Sequence, residues 1–193
     1  MLDISAVKCG ASTTRVVDVF DATGILCAPF EVALYDSVQQ VIDVNGEVIE
    51  TIIPDPAGLV RAVAFLRALH PQKLDCDDLK FLRSALDLKA TALAKKMGVT
   101  PEHLSRLESG AKVLQPQSEQ QLRTLTVALS CTATKAKDAT LAEFSKHLMG
   151  IFDDIKPCRL VDDAPLLISL RRDRVDGCDV DTEGLWDENA QVA

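Results

Sequence analysis

The sequence predicts an α+β protein: a small antiparallel N-terminal sheet, a central helical domain, then a C-terminal helix and an acidic tail. Three observations carry this. The first fifty residues alternate apolar and polar with β-branched side chains, and Asn45-Gly46 sits between two such runs. From Asp55 to Leu129 the apolar period changes to that of helices. From Asp173 to Ala193 there are seven acidic residues against one basic one. The boundaries that follow are a β-rich module with a closing helix (1–70), a helical domain (71–131), a C-terminal helix with a short strand (132–172), and a tail expected to be disordered (173–193).

Arg15–Phe20 is β-branched and partly alternating, and Phe30–Tyr35 alternates as a half-buried strand does. In VQQVIDVNGEVIETII, Asn45-Gly46 predicts a hairpin, because both residues accept the positive φ that a tight turn requires. Asp55 and Pro56 read as cap and first position of a helix running to about Leu69, where Pro71 stops it. Leu59, Ala62, Val63, Leu66 and Leu69 share one face of that helix, and His70 at its end reads as a polar terminus.

The next helix, near Asp77–Leu86, has Leu79, Leu82 and Leu86 on its inner stripe. Thr91–Met97 then turns Leu93 and Ala94 inward and Lys95 and Lys96 outward. Gly98 suits a left-handed stop, Val99 is apolar in the turn, Thr100 can cap, and Pro101 fits the first helical position. Leu104 and Leu107 form the inner stripe of the second helix. Two short helices joined by such a turn make a helix-turn-helix pattern. Ser118-Glu119-Gln120-Gln121 fits a capping box ahead of Leu122, Leu125 and Leu129. A longer helix, from Asp138 or Thr140 to Asp154, carries Leu141, Phe144, Leu148, Ile151 and Ile155 as a stripe, packed on the sheet or shared with a second copy. LLISL (166–170) reads as one more strand. Trp186 is a lone aromatic in the tail, a docking anchor or nothing.

The stretch LAKKMGVTPEHLSRLESG resembles the Cro/C1-type (XRE, lambda-repressor-like) DNA-binding domain, and the resemblance covers Leu74 to Leu129. It implies double-stranded DNA as partner, with the second helix in the major groove. Carried over position by position, it makes Pro101, Glu102 and Arg106 base-facing. Pro101 offers an apolar contact, Glu102 accepts from cytosine, and Arg106 reaches guanine with two bonds. Lys89, Thr100, Ser105 and Lys112 fall on the phosphate backbone. Arg83 and Glu108 occupy positions that pair in the family. Ala90 stands where the family often has a phosphate-holding glutamine, so Lys89 must substitute or that contact is lost. The order of parts is also similar to a narrower group, antitoxin-like regulators with a zinc-binding N-terminal module. Those carry paired cysteines, whereas Cys9 and Cys27 each stand alone here, so no metal and no cofactor is expected.

The formal net charge of −8 divides unevenly. Lys73–Arg123 holds nine basic against seven acidic residues, and the acidic excess lies elsewhere, largely in the tail. No apolar run approaches the roughly 18 residues of a membrane span, and no signal peptide opens the chain, so a cytoplasmic protein is expected. No GxxxxGK, GxGxxG, HExxH or GxSxG motif is present, and three scattered histidines make no triad, so no enzymatic activity is expected. Two functions follow. One is a homodimeric transcriptional repressor on a two-fold operator. The other is an antitoxin-like interaction module whose N-terminal domain holds a partner protein.

Overall fold

A computed structural model describes residues 12–133, 165–172 and 186–188. Its elements run β1 (Thr13–Asp21), α1 (Thr23–Leu26), β2 (Glu31–Ile42), β3 (Val48–Ile52), α2 (Pro56–Leu69), α3 (Cys76–Ala85), α4 (Ala90–Lys96), α5 (Pro101–Glu108), α6 (Pro116–Ala133), β4 (Leu167–Arg172) and β5 (Trp186–Glu188). The class is α+β, as expected, but the sheet is mixed rather than antiparallel. β2 pairs antiparallel with β1 and β3, yet β4 joins it in parallel, Val32 opposite Ile168 and Leu34 opposite Leu170. A parallel neighbour needs a crossover, and here the whole helical unit lies within it.

β2 is one strand of 12 residues that absorbs two of the expected runs. One edge meets β1; the other is divided, with Glu31–Tyr35 beside β4 and Gln39–Ile42 beside β3. Between those halves Asp36 takes a positive φ of 48°, and the β1–β2 register shifts across Val17 and Val19. This is a bulge, where an extra residue re-aims the strand. The expected hairpin is present, with Gly46 at φ 85°. Its turn is tightened by Asp43, whose Oδ1 accepts from the amides of Asn45 at 2.8 Å and Glu47 at 2.9 Å.

The expectation of disorder after residue 173 fails at Trp186–Glu188, which pairs antiparallel with β4. The physical reason is burial of Trp186, which is only 8 % exposed although two acids follow it. The helix expected from Asp138 or Thr140 to Asp154, Cys9, and the rest of the tail lie outside the described residues.

α2 has the expected bounds. The Asp55 carboxylate accepts from the Gly58 amide at 2.9 Å and Pro56 follows at the first helical position. Its buried face centres on Leu59, Val63, Ala64 and Ala68 and joins Val32, Leu34, Ile168 and Leu170 of the sheet in one core with Leu79, Leu82, Leu93, Leu104 and Leu122 of the helical unit. Sheet and helical unit therefore share a core. α6 begins at Pro116, two residues before the expected Ser118 cap. The Glu119 amide bonds the Gln115 carbonyl at 2.9 Å, so Ser118 already lies in the first turn. Glu119, within the expected capping box, is buried. Among the described residues, no helix is long and apolar enough to cross a membrane.

Candidate nucleic-acid interface

The outward surface of α4 and α5 rests on a buried base. Leu93, Ala94 and Met97 of the first helix and its turn face Leu104 and Leu107 of the second, and all five are buried. The turn takes the shape that its residues dictate. Gly98 sits at φ 65°, and the Val99 amide returns to the Ala94 carbonyl at 3.0 Å, closing α4. The Thr100 Oγ1 accepts from the His103 amide at 3.2 Å, capping α5, and Pro101 follows. α4 starts at Ala90, one residue before the expected Thr91, with Lys89 at the cap position but no side-chain cap.

Two further contacts fix α5. Arg83 of α3 donates its Nε to Glu108 Oε1 at 2.6 Å and its Nη1 to the Leu88 carbonyl at 3.2 Å. The pair expected from the family positions is therefore made, partly shielded from water. Past Gly110, at φ 74°, the Lys112 amide donates to the Arg106 carbonyl at 3.0 Å, holding the loop against the end of α5.

Pro101, Glu102, Ser105, Arg106, Lys89, Thr100 and Lys112 are all exposed, as are Lys95 and Lys96. The salt bridges among the described residues use Arg67, Lys80, Arg83, Arg123 and Arg171. Among the described residues, Lys89, Lys95, Lys96, Arg106 and Lys112 take part in none. The acids Asp78, Glu108 and Glu119, by contrast, are spent on internal pairs. Each of those acids is matched by an arginine, so the pairing leaves the lysines of this face and Arg106 without them as counter-charges. Glu102 is the exception on this face. Its own amide, the Thr100 hydroxyl and the field of Arg106 hold its carboxyl below the usual range, so it is ionised at neutral pH. The Thr100 Oγ1, read as a phosphate contact, accepts from the His103 amide at the start of the helix.

What sequence reasoning missed lies behind this surface. Arg67 is buried and donates to both oxygens of Asp78, at 2.7 and 2.5 Å, and to the carbonyls of Gln72 and Lys73 at 3.0 Å each. Arg123, 1 % exposed, reaches Glu119 Oε1 at 2.8 Å and the carbonyls of Ala68, His70 and Gln72 at 2.9, 2.5 and 2.6 Å. Glu119 also accepts from the Leu74 amide at 3.1 Å. Burial pushes the Asp78 carboxyl up, against the pull of Arg67, and pushes the Arg123 guanidinium down, against Glu119. These two pairs join the end of α2 to α3 and α6, so the interface is carried rigidly on the sheet module. A sequence signal existed only for Glu119 and Arg123, which are four apart on one helix.

Asp75, Cys76 and Asp77 bring three donor atoms within 4.8 Å of one another. The Asp75 carboxylate, however, accepts from the Asp77 and Asp78 amides, which is how a helix start is capped, and Asp77 pairs with Lys80. Cys27 is exposed, at the end of α1. Comparison with known proteins returns no match to a family model, to a curated protein or to a solved structure.

Proposed function

We propose that this chain is a sequence-specific DNA-binding regulator of the Cro/C1 helix-turn-helix kind, a homodimeric repressor that lays α5 in the major groove. The observation that carries the reading is the exposed face of α5. Arg106 stands there outside any salt bridge, while Leu104 and Leu107 fix the helix from beneath. Exposed Lys89, Lys95, Lys96 and Lys112 flank it, in reach of a phosphate backbone. Arg106 reads guanine, Glu102 selects against bases that lack a donor, and Pro101 contributes an apolar contact. Lys89, Thr100, Ser105 and Lys112 set the register. Two copies place two such helices about one DNA turn, roughly 34 Å, apart or a multiple of it. Selection of bound sequences from a random DNA pool tests this. An enriched inverted repeat is expected, and enrichment of nothing at low salt refutes it.

A second reading, the antitoxin-like module with a protein partner, has one observation in its favour. β1 lies at an edge of the sheet, and Val19 on it and Ile49 on β3 are more than half exposed. Recovery of a stoichiometric partner with the intact protein, but not with β1 altered by Val19→Lys, is the outcome that favours it.

A further inference from the structure

Ile168, Leu170 and Arg172 alternate onto one face of β4, and the first two lie opposite Val32 and Leu34 in the core shared with α2. The first two are apolar, as that face requires. Arg172 is not, and it is only 9 % exposed. Its backbone amide is tied to Ser37 Oγ at 2.8 Å. Its guanidinium carbon lies 6.0 Å from the centre of the Trp186 ring, and the indole N–H is directed at the Asp55 carbonyl at 3.4 Å. Arg172 Nη1 is buried with no hydrogen-bond partner. No carboxylate pairs with this guanidinium among the described residues; the nearby Asp36 pairs with Arg171 at 3.3 Å.

The other two guanidiniums buried among the described residues set the comparison. Arg67 and Arg123 are each matched by a carboxylate and by backbone carbonyls. A buried cation left without a counter-charge is costly, and the face of one indole offsets only part of that. A guanidinium presents parallel N–H donors whose spacing fits the oxygens of a carboxylate or phosphate.

We propose that Arg172, walled by Trp186, is the anchor of a binding site for a small oxyanion, a carboxylate or a phosphate, at the end of the sheet beside the start of α2. The site is separate from the α5 face and does not depend on what that face binds. Trp186 is the chain's single tryptophan, so its fluorescence reports the site directly. The intact protein is titrated with sodium phosphate, and separately with sodium acetate, at an ionic strength held constant with sodium chloride. A saturable change is expected, and the anion that saturates at lower concentration identifies the ligand chemistry. Arg172→Gln should abolish the change. Arg172→Lys, which keeps the charge but loses the fork, should weaken binding about tenfold, or about 1.4 kcal/mol. Arg171→Gln, on the opposite face, should leave it intact. If Arg172→Gln does not fold, Arg172→Lys decides. Absence of saturation with both anions, or a response that the Arg172 variants leave unchanged, overturns the proposal.

Discussion

Arg123→Met tests whether the buried pair at the base of the helical unit holds the molecule together. Arg123 lies on α6 but bonds the carbonyls of Ala68, His70 and Gln72, so it closes the C-terminal end of α2, where helix carbonyls lack partners. Methionine fills similar space without a donor. The change strands the Glu119 carboxylate, 3 % exposed as a side chain, with the Leu74 amide as its remaining partner, and it takes a donor from three carbonyls, of which that of Gln72 keeps Arg67. Breaking a buried pair in this way costs about 3–5 kcal/mol. That is a large share of the roughly 5–15 kcal/mol by which domains are stable. At about 2–4 °C per kcal/mol for a chain of this size, the midpoint should fall by about 6–20 °C. Urea unfolding followed by circular dichroism measures the loss. Glu119→Gln combined with Arg123→Met should cost less than the two single changes added, because the stranded charge is then gone. A loss for Arg123→Met below about 1 kcal/mol, the range of a surface substitution, would refute the reasoning.

The Arg83–Glu108 pair is half shielded, so its coupling should exceed that of an exposed ion pair. A double-mutant cycle to alanine is expected to give about 1–2 kcal/mol, and additivity would show that the 2.6 Å contact carries no energy. On DNA, Arg106→Ala should cost about 1–3 kcal/mol per half-site and relax preference at one base pair, whereas Lys112→Ala should weaken all sequences alike and flatten the salt dependence; equal behaviour of the two in binding titrations would undo their assignment. The Glu47 amide, with those of Asn45 and Gly46, lowers the Asp43 carboxyl in its folded form. Its contribution is therefore present above the ordinary carboxylate range and lost as pH falls through the lowered value, so proton NMR of the hairpin should show Asp43 titrating below a free aspartate and the turn loosening with it.

Local chemistry was legible where one residue decides one angle or one bond. Asp55 with Pro56 marked the start of α2, Gly98 the end of α4, and Thr100 with Pro101 the start of α5. Asn45-Gly46 marked the hairpin. Apolar periodicity then fixed which way α5 faces, and with it the exposure of Arg106. The failures share a different cause. Nothing local tells β4 to lie parallel to β2, because that pairing joins segments more than a hundred residues apart. The Phe30–Tyr35 run and the run after it read as two strands because Asp36 breaks the alternation, whereas in the molecule the bulge lets one strand pass through. Arg67 and Arg123 sit on amphipathic helices where arginine normally faces water, and only the third dimension shows the carbonyls that draw them in. Ser118 had the right residue type for a cap, but Pro116 starts the helix first.

The placement of the helical unit between β2 and β4 has a consequence for how the molecule is made. The contacts of α4 with α5 are close in sequence, the kind that form quickly and early, whereas α6 packs back on α2, with Arg123 and Ala68 55 residues apart. β2 cannot complete its second edge until β4 has left the ribosome, long after α6 has emerged. During that interval the apolar face of β2, with Val32 and Leu34, waits without the strand that shields its flank. Synthesis should therefore pass through a stage in which the helices are assembled and the sheet is open, and that is when chaperone contact or misjoining with another nascent copy has its opportunity.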